Sequence, residues 1–358
     1  MWLIVNAGSS SLKLKLFDGE REVAKAFVGE IGLDGHKAAM AEGLAQAGVS
    51  PARLTAVAHR VVHGGAGLTA TCRITPEVQR GIEACVPLAP LHNPGNLVGL
   101  QSVAALAPDL PQYAAFDTAF HATNPEVATT YALPLADRER GLRRYGFHGI
   151  SFAALVRILR ARGDLPERLL ACHLGNGCSL AAIVNGRSVA TTMGYSPLDG
   201  LTMGTRTGGI DGNAVLRLAE LHGIDRAGVI LNRESGLRGL GGASDMRALH
   251  AAGRPEARFA LEHFVYWAVR HAGSMVAAMG GLDAVVFTGG IGENDPVVRA
   301  GILQGLSYLG AVVDRDANRQ NAGDLHDASS RVAIWIVPAD EERQIALEAQ
   351  AVRAGEGA

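Results

Sequence analysis

The stretch VNAGSSSLKLKLFDG, residues 5–19, decides the fold. An apolar run enters Gly8 and three serines, and Lys13 comes closely behind, which has the look of a phosphate loop. The GxxxxGK[ST] spacing is absent, however, and residues 11–17 do not read as a helix. Leu12, Leu14 and Leu16 alternate with Lys13 and Lys15, the period of two of a half-buried strand. The reading is strand, small-residue loop, strand, with Asp18-Gly19 as a tight turn into a third strand.

A second stretch, CHLGNGCSLAAIVNG at 172–186, repeats this plan. Displaced by 167 positions, Asn6 falls on His173, Gly8 on Gly175 and Asp18-Gly19 on Asn185-Gly186. The expectation is a duplication, each half opening on a hairpin whose small-residue loop faces a ligand.

The rest of the chain supports an α/β protein. Its 358 residues suit about two domains, and 48% apolar residues supply a sizeable core. A net charge of -2 gives no global basic field to recruit nucleic acid, and no polybasic patch reads as membrane-binding. Four cysteines form no CxxC pair, which points to a reduced, cytoplasmic protein. The apolar run 1–5 is too short for a signal segment, and the best span candidate, 265–279, carries Arg270 and His271. Residues 55–65 and 112–121 read as strands leading into loops, the second ending at Asp117. Residues 151–163 read as an amphipathic helix capped by Ser151 and closed by Gly163. Residues 283–296 read as a buried strand, a Gly-rich loop, and Asp295-Pro296 as N-cap and first residue of a helix. Residues 331–352 read as a strand, a proline break and a terminal helix.

Chemistry concentrates at a few points. Three Gly-rich segments, at Gly8, Gly175 and Gly289, end apolar strands, where backbone N–H groups can approach phosphate oxygens. Arg206, among Gly and Thr, has no packing role in such a context, and its planar fork suits a carboxylate or phosphoryl group. Arg60 could do the same or form a surface ion pair. His59 and His63 lie four apart on a strand and lack the glutamate of a zinc motif, so they read as structural. Asp117 fits either a metal or nucleophile-orienting role or a turn. His148 fits either catalysis or burial. Asp340, Glu341 and Glu342 fit either a metal site or a helix start that favours acids.

In order, VNAGSSSLK, HRVVHGG, PLHNPGN, FDTAFH, RYGFHG, CHLGNG, PLDGLTMGTRTG, FTGGIGEN and DEE together closely resemble the acetate kinase family of carboxylate kinases, which includes propionate and butyrate kinases. The resemblance spans nearly the whole chain. It implies the acetate and sugar kinase/Hsp70/actin fold: two duplicated ribonuclease-H-like α/β domains with a nucleotide cleft between them. The domains would be 1–148, completed by a C-terminal helix at about 341–358, and 149–340. It implies a homodimer that uses ATP or ADP and Mg²⁺, with Mn²⁺ as a substitute, to interconvert acetate and acetyl phosphate. By the same resemblance, Asp117, His148 and Arg206 are catalytic, with His148 and Arg206 stabilising the transition state. Arg60 binds the carboxylate, and Val62, Leu91, Phe147 and Pro197 form the acyl pocket. Lys13, His173, Leu174, Gly175, Asn176 and Gly177 contact the ATP phosphates. Asp245, Met246, Arg247, Gly290, Ile291, Gly292, Glu293 and Asn294 form the adenosine pocket. Asn6 and Glu341 attend the metal.

The chain departs from the family pattern at Gly209, where an acid is expected, at Gly212 for Pro, Phe152 for His and Ala339 for Thr. The segment between Lys15 and His59 is also shorter than expected. Rival readings are a propionate or butyrate kinase, a non-kinase ATPase of the same superfold, and a phosphatase built on it.

Overall fold

A computed structural model describes residues 1–8, 11–32 and 35–356. Eleven strands fall into two sheets among these residues. The first holds β1 (Trp2–Ala7), β2 (Ser11–Asp18), β3 (Arg21–Gly29), β4 (Ala56–Val61), β5 (Cys72–Arg73) and β6 (Gln112–Phe116), in the order β3-β2-β1-β4-β6-β5. The second holds β7 (Arg168–Leu174), β8 (Cys178–Val184), β9 (Arg187–Thr191), β10 (Ala284–Thr288) and β11 (Ala333–Ile336), in the order β9-β8-β7-β10-β11. In each, three antiparallel strands continue into two parallel ones: β1 with β4 and β6, β7 with β10 and β11. The repeat of strand order and direction is the duplication expected from the two hairpins.

The hairpins also correct the alignment that revealed them. Ala7 pairs with Leu12 across the first loop, whereas Leu174 pairs with Cys178 across the second, so the first loop is one residue longer. Beyond the loops the copies are therefore offset by one. The first turn is Gly19-Glu20, between paired Asp18 and Arg21, not Asp18-Gly19. It falls on Asn185-Gly186, between paired Val184 and Arg187. Asn185 and Gly186 both have positive φ, 50° and 78°, as a I′ turn requires, while Gly19 at 59° is the only positive one of its pair, the II′ pattern. Register shifts at Leu16/Phe17 and Ala182/Ile183 coincide under the corrected offset.

Two compact units result. One comprises Met1–Ala122, Phe147–Ala154 and Asp340–Ala358, the other Thr123–Gly146 and Leu155–Ala339. The junction expected near 148–151 lies inside the segment Phe147–Ala154, which groups with the first unit.

In the first unit β1 is buried on both faces, as a central strand should be. Leu3, Val5 and Ala7 pack with Leu12, Leu14 and Leu16 on one face. Trp2 and Ile4 pack on the other with Ala58, Tyr113 and Ala115, covered by Ile345, Ala346 and Ala349 of the helix Glu341–Glu356. In the second unit β10 is wholly buried and runs straight into the next element. That element is a short helix, Gly289–Asn294, where a Gly-rich loop was expected. Asp295 caps the following helix, Pro296–Gly305, through the N–H groups of Val297 and Val298, as the sequence predicts. The helix expected to start at Ser151 begins at Gly149, and Gly163 closes it with φ 80°.

His59 and His63 are both buried, which agrees with the structural reading. His59 Nε2 lies 2.7 Å from Gln112 Oε1, and burial holds its ring down at about 4. His121 is buried likewise and also held at about 4. Above pH 6.5 neither ring binds a proton in either state. As pH falls below 6.5 the unfolded chain takes up protons that the folded chain refuses until about pH 4, so stability falls across that window. Urea unfolding at pH 7 and pH 4.5 should show this loss. His59→Gln should reduce it by about 2–3 kcal/mol; an unchanged pH slope would contradict the assignment.

Candidate active site

The first unit brings a group of charged residues to the ends of two parallel strands. β4 and β6 pair with Arg60 opposite Ala115 and Val61 opposite Phe116. Arg60 near the end of one and Asp117 just past the other meet in a two-pronged ion pair: Nε to Oδ1 at 3.0 Å and Nη2 to Oδ2 at 2.6 Å. The Asp117 side chain is 3% exposed and that of Arg60 21%. Glu341 Oε2, at the start of the terminal helix, lies 3.9 Å from Arg60 Nε. Burial opposes the guanidinium charge, but Asp117 and then Glu341 outweigh it and hold Arg60 above its ordinary value.

The strand ends are fixed by groups that the sequence did not single out. In PLHNPGN, Asn93 and Asn96 are buried on the helix Asn93–Leu106. Asn96 accepts from Val62 N at 3.0 Å and donates to Ala7 O at 2.7 Å. Asn93 accepts from His63 N at 3.1 Å and donates to His63 O at 3.0 Å. The two amides thus tie together the ends of β1 and β4, which carry Asn6 and Arg60. Gly99 of the same helix permits the approach, since a Cβ there would lie 2.7 Å from Ala7 Cβ.

Asn6 and Lys13 are register partners on β1 and β2, so they share a face. Lys13 is exposed, while Lys15 pairs with Glu22 at 3.1 Å and Glu342 at 3.4 Å. The serines at 9 and 10 lie outside the described residues. Val62 and Phe147 are buried, at 9% and 1%, and Leu91 is 39% exposed. His148 is half-buried with a positive φ of 58°. Phe152 is buried against the edge of His121.

The oxygen donors here suit Mg²⁺. Among the described residues no group of three or more His, Cys, Asp and Glu side chains is placed to hold a metal by protein ligands alone. Two carboxylates about one guanidinium, with a carboxamide on the neighbouring strand, are a sparse, hard set. Mg²⁺ takes such sets, keeping waters and drawing further ligands from substrate phosphates.

The second unit carries the nucleotide candidates. His173 and Leu174 end β7, and Gly175 N donates to Gly177 O at 3.0 Å across the loop. A cavity of about 670 Å³ opens at this loop. Gly175, Asn176, Asp245, Met246, Arg247, Gly290, Ile291 and Asn294 all line it. Ser244, His250 and Val297 line it too, as do Asp295 and Pro296, which the sequence marked only as a helix start. Asp245 caps the helix Met246–Ala252 and is held down at about 2, chiefly by hydrogen bonding from Arg247, whose Nη2 lies 2.6 Å away. His250 Nε2 meets Asp295 Oδ2 at 2.9 Å.

Glu293 turns back to accept from Gly289 N at 2.9 Å and Ala339 N at 3.0 Å, so it braces the short helix from inside. Only the backbone of Ala339 is used, so the loss of a Thr side chain there leaves the brace intact. Gly292 O accepts from Arg299, which is 0% exposed. Arg299 spends its other donors on Asn318 and Asn321, all uncharged oxygens, and burial pushes it down to about 10, with Asp295 opposing. Arg206 donates to Pro197 O at 3.0 Å, which links the catalytic candidate to the acyl-pocket candidate through the loop 197–206. That loop leans on Gly236, where a Cβ would lie 2.1 Å from Met203 O.

Comparison with known proteins agrees with this geometry. A model of the acetokinase family matches residues 37–347. An acetate kinase of Carboxydothermus hydrogenoformans is 39% identical, over 97% of each chain. The crystal structure of Porphyromonas gingivalis acetate kinase superposes with a TM-score of 0.90 and 34% identity, over 98% of this chain and 99% of that one. A propionate kinase from Francisella tularensis superposes with a TM-score of 0.91 and 32% identity, with the same coverage. With the duplicated sheets, a strand-end ion pair and a Gly-lined cavity in family order, the chain belongs to the acetokinase family.

Proposed function

We propose that this protein is an acetate kinase: it transfers the γ-phosphoryl group of ATP to acetate, reversibly, giving ADP and acetyl phosphate. The observation that carries this reading is the Arg60–Asp117 pair with Glu341 beside it, in a chain of this family.

Acetate is already a carboxylate at neutral pH, so the reaction asks for no strong base. It asks for an anion to be held in line with a phosphorus that carries negative charge of its own. Arg60 suits the acyl carboxylate. Two of its five N–H groups serve Asp117, which orients the fork and leaves donors for a second carboxylate. Asn6 and Glu341 hold Mg²⁺, with Asp117 orienting the ion or its water shell. When bound, Mg²⁺ neutralises charge on the phosphate oxygens. His148 and Arg206 stabilise the equatorial oxygens as charge redistributes. Val62, Leu91, Phe147 and Pro197 receive the methyl group. Lys13 and the segment from His173 to Gly177 contact the phosphates, and the large cavity receives adenosine, whose apolar body suits Met246 and Ile291. We read the two units as the duplicated domains, the first completed by the terminal helix.

We further read the protein as a cytoplasmic homodimer. All four cysteines are free thiols, as suits a reducing compartment. Leu216, Leu221, Ile224, Phe259 and Tyr266 of the second unit are 55–81% exposed, an apolar excess that a second copy would cover. Among the described residues no helix is long and apolar enough to cross a membrane.

A propionate or butyrate kinase is the second reading, favoured by the Francisella tularensis neighbour. One methylene is worth only ~1–3 kcal/mol in an apolar pocket, so preference is a matter of measurement. Hydroxylamine trapping of the acyl phosphate, with ATP, Mg²⁺ and a series of short acids, should give hydroxamate with acetate preferred in kcat/KM. No product with any short acid would end the kinase reading.

Arg206→Ala should lower kcat by about 100-fold or more while leaving ATP binding nearly unchanged; near-normal turnover would remove Arg206 from the machinery. Arg60→Lys keeps the charge but loses the fork, so the acetate KM should rise at least about tenfold with little change in the KM for ATP. Equal effects on both substrates would argue for a general structural role.

A further inference from the structure

His148 has φ 58°, in the left-handed region that a side chain disfavours. Such a conformation persists only where its surroundings over-determine it. Three hydrogen bonds do so here. Gly149 N donates to Asp117 O at 2.7 Å, and Phe152 N donates to His148 O at 3.1 Å. The third comes from a side chain: His121 Nε2 lies 3.0 Å from Phe147 O.

A carbonyl only accepts, so Nε2 of His121 carries the hydrogen. The ring is 2% exposed, and burial keeps it neutral at pH 7. It stands edge-on to Phe120 and Phe152, with centroids 5.7 Å away in both cases, so it has little room to turn. Phe147 is held from another side by the edge of His63, at 5.4 Å. Gly149 leaves no slack either, because a Cβ there would lie 2.3 Å from Asp117 O.

We propose that His121 is a positioning residue: its Nε2–H fixes the Phe147 carbonyl and so holds the left-handed backbone from which the His148 imidazole departs. The sign of φ sets the direction in which Cβ leaves the chain. If the peptide between Phe147 and His148 relaxes, the imidazole is re-aimed. The catalytic part of this inference rests on the proposed role of His148; the conformational part does not.

The test uses His121→Phe, His121→Gln and His148→Gly, singly and with His121→Phe and His148→Gly combined. His121→Phe keeps the shape and removes the donor. It should lower kcat for hydroxamate formation by about 10–100-fold with the KM for ATP within about twofold. His121→Gln, whose amide can reach the same carbonyl, should recover most of that loss. His148→Gly removes the backbone constraint, so His121→Phe should shift the urea midpoint less in the His148→Gly background than in the native chain. Additive midpoint shifts, or equal loss of kcat in His121→Phe and His121→Gln, would overturn the proposal. If His121→Phe alone does not fold, folding of the combined variant supports the proposal and its failure counts against it. If the native chain forms no hydroxamate, the kinase reading falls, and the urea cycle still decides the conformational coupling.

Discussion

A carboxylate that is 3% exposed needs a cation, and at the end of β6 that cation is Arg60. Much else in the first unit stems from meeting this need. β4 and β6 must be parallel neighbours for the two side chains to meet, which sets the middle of the sheet. Asn93 and Asn96 must satisfy the backbone where β1 and β4 stop, because those ends are buried. The terminal helix must start close by, since Glu341 adds the second negative charge. The pair thus displays one positive fork and a surplus of negative oxygen together at the strand ends.

The second unit solves a different problem with the same sheet. The cavity beside the second sheet is walled in part by glycine, at Gly175 and Gly290. The short helix Gly289–Asn294 cannot stand on propensity, with three of its six residues glycine. Its own Glu293 folds back on two backbone amides, one of them that of Ala339, and Arg299 holds it from outside at Gly292 O. A buried guanidinium that meets only uncharged oxygens costs stability, which makes sense where a wall without side chains must keep its shape.

Local pattern made the strands legible. Alternating leucines in 12–16, continuous apolar runs at β1, β7 and β10, and paired hairpins were enough to find the duplication. The single extra residue in the first loop was not legible, because two turns of different type, at Gly19-Glu20 and Asn185-Gly186, both contain a glycine next to a polar residue. The helix at 289–294 was missed for a related reason: its sequence favours a loop, and its braces come from residues up to 46 positions away. Arg206 stood out by its Gly and Thr neighbours and Asp117 by its place at a strand end, while His148 fitted burial as well as catalysis. Asn93, Arg299 and His121 did not, since their work is done on carbonyls and amides of other segments, which no spacing rule encodes.

The helix Glu341–Glu356 joins strands that were made at the start of the chain. It covers the face of β1 that carries Trp2 and Ile4, and its first residue stands beside Arg60. During synthesis the first sheet therefore emerges with one face uncovered and waits while the whole second unit is translated. That unit is continuous enough to fold meanwhile. Until residues 341–356 are made, Arg60 lacks Glu341 beside it and that face of β1 lacks its cover, however complete the second unit is.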